Sequence, residues 1–184
     1  MIRFHLNGIV TVPLLFPMTH DAALRDTRLR EQLEELRPRW QIAENVVLPV
    51  IGDSALYATA AYLYDVWKKL DDTLTLELVP GVSAHSLAGS RAGHFLAMGD
   101  AIFSIIPGTA PPEAVSEALR YCDSAALYKP SALKSLLRPL VEEAGPWSKI
   151  LRMDRAGLPD ECITEGNHSL DSVDEYLSTL LLWR

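Results

Sequence analysis

The sequence predicts an α/β fold, because short apolar runs typical of strands alternate with segments of helical periodicity along most of the chain. Glycine- and proline-containing turns follow several of these runs, and the helical segments carry their apolar residues on one face. This order of elements favours a mainly parallel sheet with some antiparallel pairing late in the chain.

Composition places the chain among ordinary globular proteins. Its 184 residues are 48% hydrophobic and 22% charged, which leaves room for two small α/β lobes. We expect the boundary near Pro80, with lobes at 1–80 and 81–184. Apolar runs are interrupted by charge, glycine or proline before they reach membrane-spanning length, so we expect no membrane partner.

Charge and cysteine content exclude further classes. The formal net charge is −7, from 17 basic and 24 acidic residues, and gives no global support for binding nucleic acid. Cys122 and Cys162 are far apart and match neither a disulfide framework nor a zinc site. The first eleven residues do not resemble a signal peptide, so we expect a cytoplasmic location.

The first half of the chain predicts three strand regions and three helices. Asn7-Gly8 is typical of a hairpin turn between short strands. Thr19 or Asp21 can cap a helix that Pro38 ends. The remaining elements are strands at 46–51 and 74–78 and helices at 56–70 and 83–92. The second half predicts strands at 101–106, 124–128, 150–153 and 177–183, with helices at 113–122 and 131–143.

Three loops that follow predicted strands are candidates for a ligand site, because open α/β sheets bind ligands beyond the carboxyl ends of their strands. They are Ile51-Gly52-Asp53, Pro80 to Ala84, and Tyr128-Lys129-Pro130. Asp53 can accept hydrogen bonds from ribose hydroxyls or an amine. Each loop can equally be an ordinary helix cap, and the residues alone leave this open.

Established catalytic patterns are absent from the sequence. The five histidines (His5, His20, His85, His94 and His168) show no metal-ligand spacing, and no Walker or G-x-G-x-x-G motif occurs. His85 lies in a predicted helix without a nucleophile motif around it, so we expect an ordinary packed or exposed side chain there. We predict no metal and assign no catalytic residue.

Taken in order, several segments resemble the tetrapyrrole methylase family, and most closely its precorrin-2 C20-methyltransferase branch. The segments are VPLLFPMTHD (12–21), LPVIGDSALYATAAYL (48–63), LELVPGVSAHSLAGSRAG (76–93), FSIIPGT (103–109), AALYKP (125–130) and MDRAGLPDE (153–161). Family members begin with a strand and a glycine-proline loop that nothing before Val12 matches. The resemblance therefore implies a two-lobed fold with an incomplete N-terminal lobe and a mixed sheet in the C-terminal lobe.

The resemblance also implies a site. S-adenosylmethionine would lie between the lobes and leave as S-adenosylhomocysteine. The positions that correspond to family cofactor contacts are Ile51, Gly52, Asp53, Leu56, Ser83, Ala84, Tyr128 and Leu158. A tetrapyrrole substrate carries many carboxylates, for which we nominate Arg91, Lys129 and Arg155. Tyr128 stands where the family commonly has Met, and Asp154 where it often has Glu.

Several functions remain open. The first is methylation of precorrin-2 or cobalt-precorrin-2 at C20. The second is a vestigial binding protein of the same fold without turnover, and a third explanation of the missing loop is a late start codon. A methylase of rRNA or of a protein histidine is more distant, since the FPM and RAGLP segments oppose it. An incomplete lobe exposes strand edges, so we expect the N-terminal hairpin or a homodimer to cover them.

Overall fold

The computed structural model describes residues 10–19 and 21–184 of the chain. These fall into two compact units, Met1–Gly81 and Val82–Arg184. The hairpin predicted around Asn7-Gly8 lies outside the described residues, and 10–12 contain no strand. Among the described helices, none is long and apolar enough to cross a bilayer.

The first unit has a helical core made by α1 (Ala22–Glu35) and α3 (Ala60–Lys68), with a short α2 (Arg37–Trp40) between them. The predicted cap is confirmed, because the Asp21 carboxylate accepts a hydrogen bond from the Leu24 N–H at 3.0 Å. Four fully buried side chains from the two longer helices form the core: Leu29, Leu33, Leu63 and Val66.

The strands predicted at 46–51 and 74–78 are wrong. Neither segment forms a strand in the described part of the first unit. Alternating apolar residues indicate an extended backbone, but a strand also needs a neighbour that completes its hydrogen-bond ladder. Val47 is 82% exposed and Leu76 is 53% exposed, so these side chains do not cover a sheet face.

The second unit carries a mixed five-stranded sheet. Its elements in chain order are α4 (Ala84–Arg91), β1 (Phe103–Pro107), α5 (Pro112–Arg120), β2 (Ser124–Tyr128), a 3-10 helix (Pro130–Leu136), α6 (Leu137–Ala144), β3 (Lys149–Asp154), β4 (Cys162–Glu165), a second 3-10 helix (Gly166–Leu170) and β5 (Ser178–Trp183). The strand order is β1-β2-β5-β3-β4, which confirms the predicted mixed sheet.

Antiparallel pairing dominates this sheet, contrary to the expected mainly parallel core. β1 and β2 are parallel, whereas β5 runs antiparallel between β2 and β3, and β4 is antiparallel to β3. The last strand of the chain thus returns to the centre of the sheet. β1, β2 and β3 consequently point in one direction, and their carboxyl ends share an edge with the start of β5.

Helices cover both faces of the sheet. On one face, Val115 and Leu119 of α5 and Val141 of α6 pack with Leu127 and other apolar side chains of the strands. Helix α4 covers the opposite face of the sheet, and its fully buried Ala88 packs in a cluster with sheet residues. The sheet residues of that second cluster are Ala126, Leu151, Met153, Leu181 and Trp183.

A buried ion pair occupies the end of β3. Arg152 Nε lies 3.1 Å from Asp154 Oδ2, and their side chains are 12% and 11% exposed. The guanidinium also donates from Nη1 to the carbonyl oxygens of Ser169 and Asp171, at 3.1 and 2.8 Å. Within the described chain Asp154 Oδ1 has no hydrogen-bond partner, so this carboxylate depends strongly on Arg152.

We expect Arg152→Met to lower the free energy of unfolding by about 3 kcal/mol, because a buried carboxylate would lose its cation. The double variant Arg152→Met/Asp154→Asn removes both charges and should recover a large part of that loss. Urea unfolding followed by circular dichroism measures both. A double variant no more stable than Arg152→Met would contradict the role given to the pair.

Candidate functional site

The loops that follow β1, β2 and β3 are tied to neighbouring backbone at one edge of the sheet. The Gly108 N–H donates to the Tyr128 carbonyl at 2.7 Å, and the Lys129 N–H donates to the Ser178 carbonyl at 3.2 Å. The Arg155 N–H donates to the Leu177 carbonyl at 2.7 Å. Of the three loops predicted to follow strands, only Tyr128-Lys129-Pro130 follows a strand in the described residues, because 46–51 and 74–80 form none. The edge that carries this loop is a connected structure within the second unit.

The backbone at this edge of the sheet is closely packed and takes conformations that are uncommon in residues with a Cβ. A Cβ added to Gly108 would lie 2.5 Å from the Lys129 carbonyl oxygen, so only glycine fits there without a shift. Lys129 and Arg155 are both left-handed, with φ of 52°. Such conformations cost free energy in residues with a Cβ and are concentrated at functional sites.

The N-terminus of α4 lies against the end of β2. Ser83 is the N-cap of the helix, with its hydroxyl accepting a 3.4 Å hydrogen bond from the Ser86 N–H, and it is buried. Ala84 follows as the first helical residue, with a side chain of one methyl group. The start of this helix thus combines the buried hydroxyl of Ser83 with the single methyl group of Ala84.

A chain of hydrogen bonds connects this turn to β2. His85 Nε2 lies 3.0 Å from Ser83 Oγ, and His85 Nδ1 lies 2.8 Å from Tyr128 Oη. The backbone N–H of His85 also donates to Tyr128 Oη at 3.3 Å. Sequence reasoning missed His85, because its partner Tyr128 is 43 residues away and no local motif marks the pair.

The loop after β3, which contains Leu158, lies beside the same helix. The Leu158 N–H donates to the Arg155 carbonyl at 3.0 Å, and the leucine side chain is half-buried. A Cβ on Gly157 would lie 3.3 Å from Leu87 of α4. Ser83, Ala84, Tyr128 and Leu158 therefore all belong to elements that meet around the start of α4.

The three nominated cations have different surroundings. Arg91 pairs with Glu161 at 3.4 Å, and Arg155 pairs with Asp160 at 3.1 Å and Glu175 at 3.3 Å. Lys129 instead places Nζ 4.9 Å from the centre of the Tyr176 ring. No carboxylate of the described residues forms an ion pair with Lys129, so its charge is the least neutralised of the three.

The nominated loop of the first unit is also well defined. The Asp53 carboxylate accepts a hydrogen bond from the Ala55 N–H at 2.9 Å, and the Ser54 hydroxyl donates to the Val79 carbonyl at 2.7 Å. A Cβ on Gly81 would lie 2.1 Å from the Gly52 carbonyl oxygen. The Gly-Asp and Pro-Gly segments thus touch within this unit.

Apolar side chains flank Asp53 in the loop. Ile51 is 76% exposed and Leu56 is half-buried, while Gly52 has a φ of 84° that favours glycine. An acidic hydrogen-bond acceptor beside accessible apolar surface suits a ligand that has both hydroxyl groups and an apolar ring.

Other chemistries find less support in the described residues. These contain no group of three His, Cys, Asp or Glu side chains that could hold a metal ion. A shallow depression of about 520 Å³ lies on α5, lined by residues that include Glu113, Glu117 and Arg120. None of the nominated site residues lines it.

Curated relatives match almost the whole chain. A cobalt-precorrin-2 C(20)-methyltransferase of Salmonella typhimurium is 28% identical over 169 residues, covering 91% of this chain and 70% of the relative. A precorrin-2 C(20)-methyltransferase of Sinorhizobium is 22% identical over 182 residues, covering 95% of this chain and 73% of the relative.

Solved structures share the fold. The methyltransferase CobJ superimposes with a TM-score of 0.70 at 17% identity, covering 97% of this chain and 76% of CobJ. Uroporphyrin-III C-methyltransferase from Thermus thermophilus, complexed with S-adenosylhomocysteine, gives a TM-score of 0.63 at 17% identity, covering 87% of this chain and 73% of the enzyme.

The family model of the tetrapyrrole (corrin/porphyrin) methylases matches residues 4–170, which is most of the 184-residue chain. The resemblance carried by the six sequence segments is thereby confirmed, and so is the predicted α/β fold. This chain belongs to the tetrapyrrole methylase family, whose methyl donor is S-adenosylmethionine.

Proposed function

We propose that this chain methylates precorrin-2, or its cobalt form, at C20 in cobalamin biosynthesis. The observation that carries the proposal is the match to two relatives named as C(20)-methyltransferases, which covers 91% and 95% of this chain. The arrangement around α4 supports it, because residues of three separate loops that the family uses meet there.

The residues present fit the cofactor. We assign Asp53 to its hydroxyl or amine groups, with Ile51, Gly52 and Leu56 contributing contacts from the same loop. In the second unit, the buried Ser83 hydroxyl and the small Ala84 allow close approach, and Tyr128 and Leu158 offer flanking surface. Each assignment follows the family position and agrees with the exposure or hydrogen bonding of the side chain.

S-adenosylmethionine supplies a methyl group on a sulfonium, which is already an activated electrophile. The chain therefore has to align the two reactants, and holding them in a near-attack geometry can contribute about 7–11 kcal/mol. No protein nucleophile is required. A rigid edge formed by Gly108, Lys129 and Arg155 suits a site in which position is the main contribution.

The substrate is a polycarboxylate, and we assign its recognition to Arg91, Lys129 and Arg155. Lys129 is the principal contact, since it meets no carboxylate of the described chain. Arg91 and Arg155 would have to exchange Glu161, Asp160 or Glu175 for a substrate carboxylate. Replacing an ion pair within the protein by one with the substrate contributes little net affinity.

A vestigial protein that binds without turnover is the second candidate, favoured by the two arginines already paired with carboxylates. Mass spectrometry of precorrin-2 incubated with the chain and S-adenosylmethionine separates the two. Gain of one methyl group supports the enzyme. Cofactor binding without methyl gain supports the vestigial protein.

We expect Asp53→Asn to weaken S-adenosylhomocysteine binding about tenfold or more, because a charge-assisted hydrogen bond is lost. Asparagine can still accept the Ala55 N–H, so the loop is preserved. Isothermal titration calorimetry measures the affinity, with the exposed Asp72→Asn as control. Unchanged affinity in Asp53→Asn would remove Asp53 from the site, and no binding by the unaltered chain would refute the proposed function.

We expect Lys129→Met to raise KM for the tetrapyrrole about tenfold while leaving S-adenosylhomocysteine affinity unchanged, because one charge-assisted contact is lost. Lys149→Met is a matched control. Its Nζ lies 5.9 Å from the Trp183 ring centre, and it begins β3 at the opposite edge of the sheet. Equal effects of the two substitutions would show that the loss concerns overall charge.

We further propose that the chain works in the cytoplasm as a homodimer. Apolar side chains of Ile42, Val47 and Val79 are exposed in the first unit, and a second copy would remove such surface from water. Sedimentation equilibrium measures the particle mass. A mass equal to that of one chain at micromolar concentration would contradict the dimer.

A further inference from the structure

His85 connects two residues of the proposed cofactor site that lie on different elements. One ring nitrogen is 3.0 Å from Ser83 Oγ at the start of α4, and the other is 2.8 Å from Tyr128 Oη at the end of β2. The imidazole ring also lies beside Phe103 of β1, with centroids 5.5 Å apart. One side chain thus joins α4, β1 and β2.

The hydrogen bonds around His85 can all form at the same time. Tyr128 Oη accepts the His85 backbone N–H, and its own proton can be donated to Nδ1. Ser83 donates to Ser86 Oγ at 2.8 Å, so Ser83 Oγ can accept from Nε2. Both ring nitrogens of His85 can therefore be hydrogen-bonded at the same time.

We propose that His85 is a positioning residue that holds Ser83 and Tyr128 in the geometry needed to bind the cofactor. The inference rests on the proposed function, which assigns Ser83 and Tyr128 to S-adenosylmethionine. His85 does not contact the cofactor in this role. It acts by fixing the hydroxyl of Tyr128 and the N-cap of α4 relative to each other.

When Ser83 and Tyr128 are already ordered before binding, the affinity is higher, because the binding free energy does not include the entropy cost of ordering them. Tyr128 carries a hydroxyl that needs hydrogen-bond partners when it is half-buried. His85 supplies one such partner from the neighbouring helix. The two side chains therefore function as a pair.

Three substitutions separate the two hydrogen bonds. His85→Asn retains an acceptor near the position of Nδ1 and so keeps the bond from Tyr128. His85→Gln retains a donor near the position of Nε2 and so keeps the bond to Ser83. His85→Leu removes both but preserves apolar packing against Phe103. Urea unfolding establishes that each variant is folded.

We expect His85→Leu to weaken S-adenosylhomocysteine binding about tenfold by calorimetry, and His85→Asn and His85→Gln each to recover at most half of that loss on a logarithmic scale. His94→Gln is the control, because His94 packs against Trp183 with centroids 5.0 Å apart and belongs to no nominated site. Its affinity should equal that of the unaltered chain.

The calorimetry distinguishes the role proposed for His85 from the proposed cofactor site. Binding by the unaltered chain with equal affinity in all three His85 variants would overturn the positioning role and leave the cofactor assignment standing. Equal weakening in all three would support it, since breaking either hydrogen bond breaks the connection between Ser83 and Tyr128.

Absence of binding by the unaltered chain would refute the cofactor assignment and this role together. Nitrogen-15 spectra of the histidine rings test the hydrogen bonds themselves without any ligand. We expect both ring nitrogens of His85 to show the chemical shifts of hydrogen-bonded nitrogens. The shifts of a ring that bonds only to water would overturn the proposed geometry whatever the calorimetry shows.

Discussion

The insertion of β5 between β2 and β3 is the constraint on which the second unit depends. All six residues of this strand are buried, and its two sides are antiparallel ladders that run along its full length to β3 and nearly so to β2. A central strand must be apolar on both faces, and Leu180, Leu181 and Leu182 meet this need. Because β5 runs opposite to both neighbours, the carboxyl ends of β2 and β3 lie at one edge, where the loops that carry Lys129 and Arg155 begin.

Much of the second unit could be predicted from sequence because burial leaves a strong local signal there. The strand at 124–128 has the predicted bounds, and the predicted strand at 177–183 differs from β5 by one residue. The short β4 was missed, since Cys162 and Ile163 are exposed and the segment lacks a continuous apolar run. The predicted strand directions were wrong for another reason. The alternation of segments indicates which are strands and which are helices, but it does not indicate where in the sheet the last strand lies.

The first unit shows the limit of periodicity as a signal. The helices around Leu33 and Leu63 were predicted because their apolar residues recur on one face and the faces meet. The segments at 46–51 and 74–78 have equally clear alternation but no described strand partner. A helix satisfies its backbone hydrogen bonds within itself, whereas a strand depends on a distant part of the chain, so local sequence predicts helices more securely.

The residues of the candidate site also divide into those that the local sequence marks and those that only the fold brings together. Loop positions such as Asp53 and Ser83 could be nominated from sequence because glycine and helix-capping residues mark them locally. The connection from His85 to Tyr128 and the neutralisation of Arg155 by Glu175 could not, because both arise from residues that only the fold brings together. Sequence therefore nominated loops of the candidate site but did not predict the contacts that set its charge and order.

The left-handed backbone at Lys129 and Arg155 has a consequence for engineering this protein. Glycine would relax both turns, so selection for heat resistance would favour removing these two cations. The same replacements would take away side chains assigned to substrate recognition. On the proposed assignment, thermal tolerance and turnover would conflict at these two loops, a trade-off typical of sites where strained backbone is retained for function.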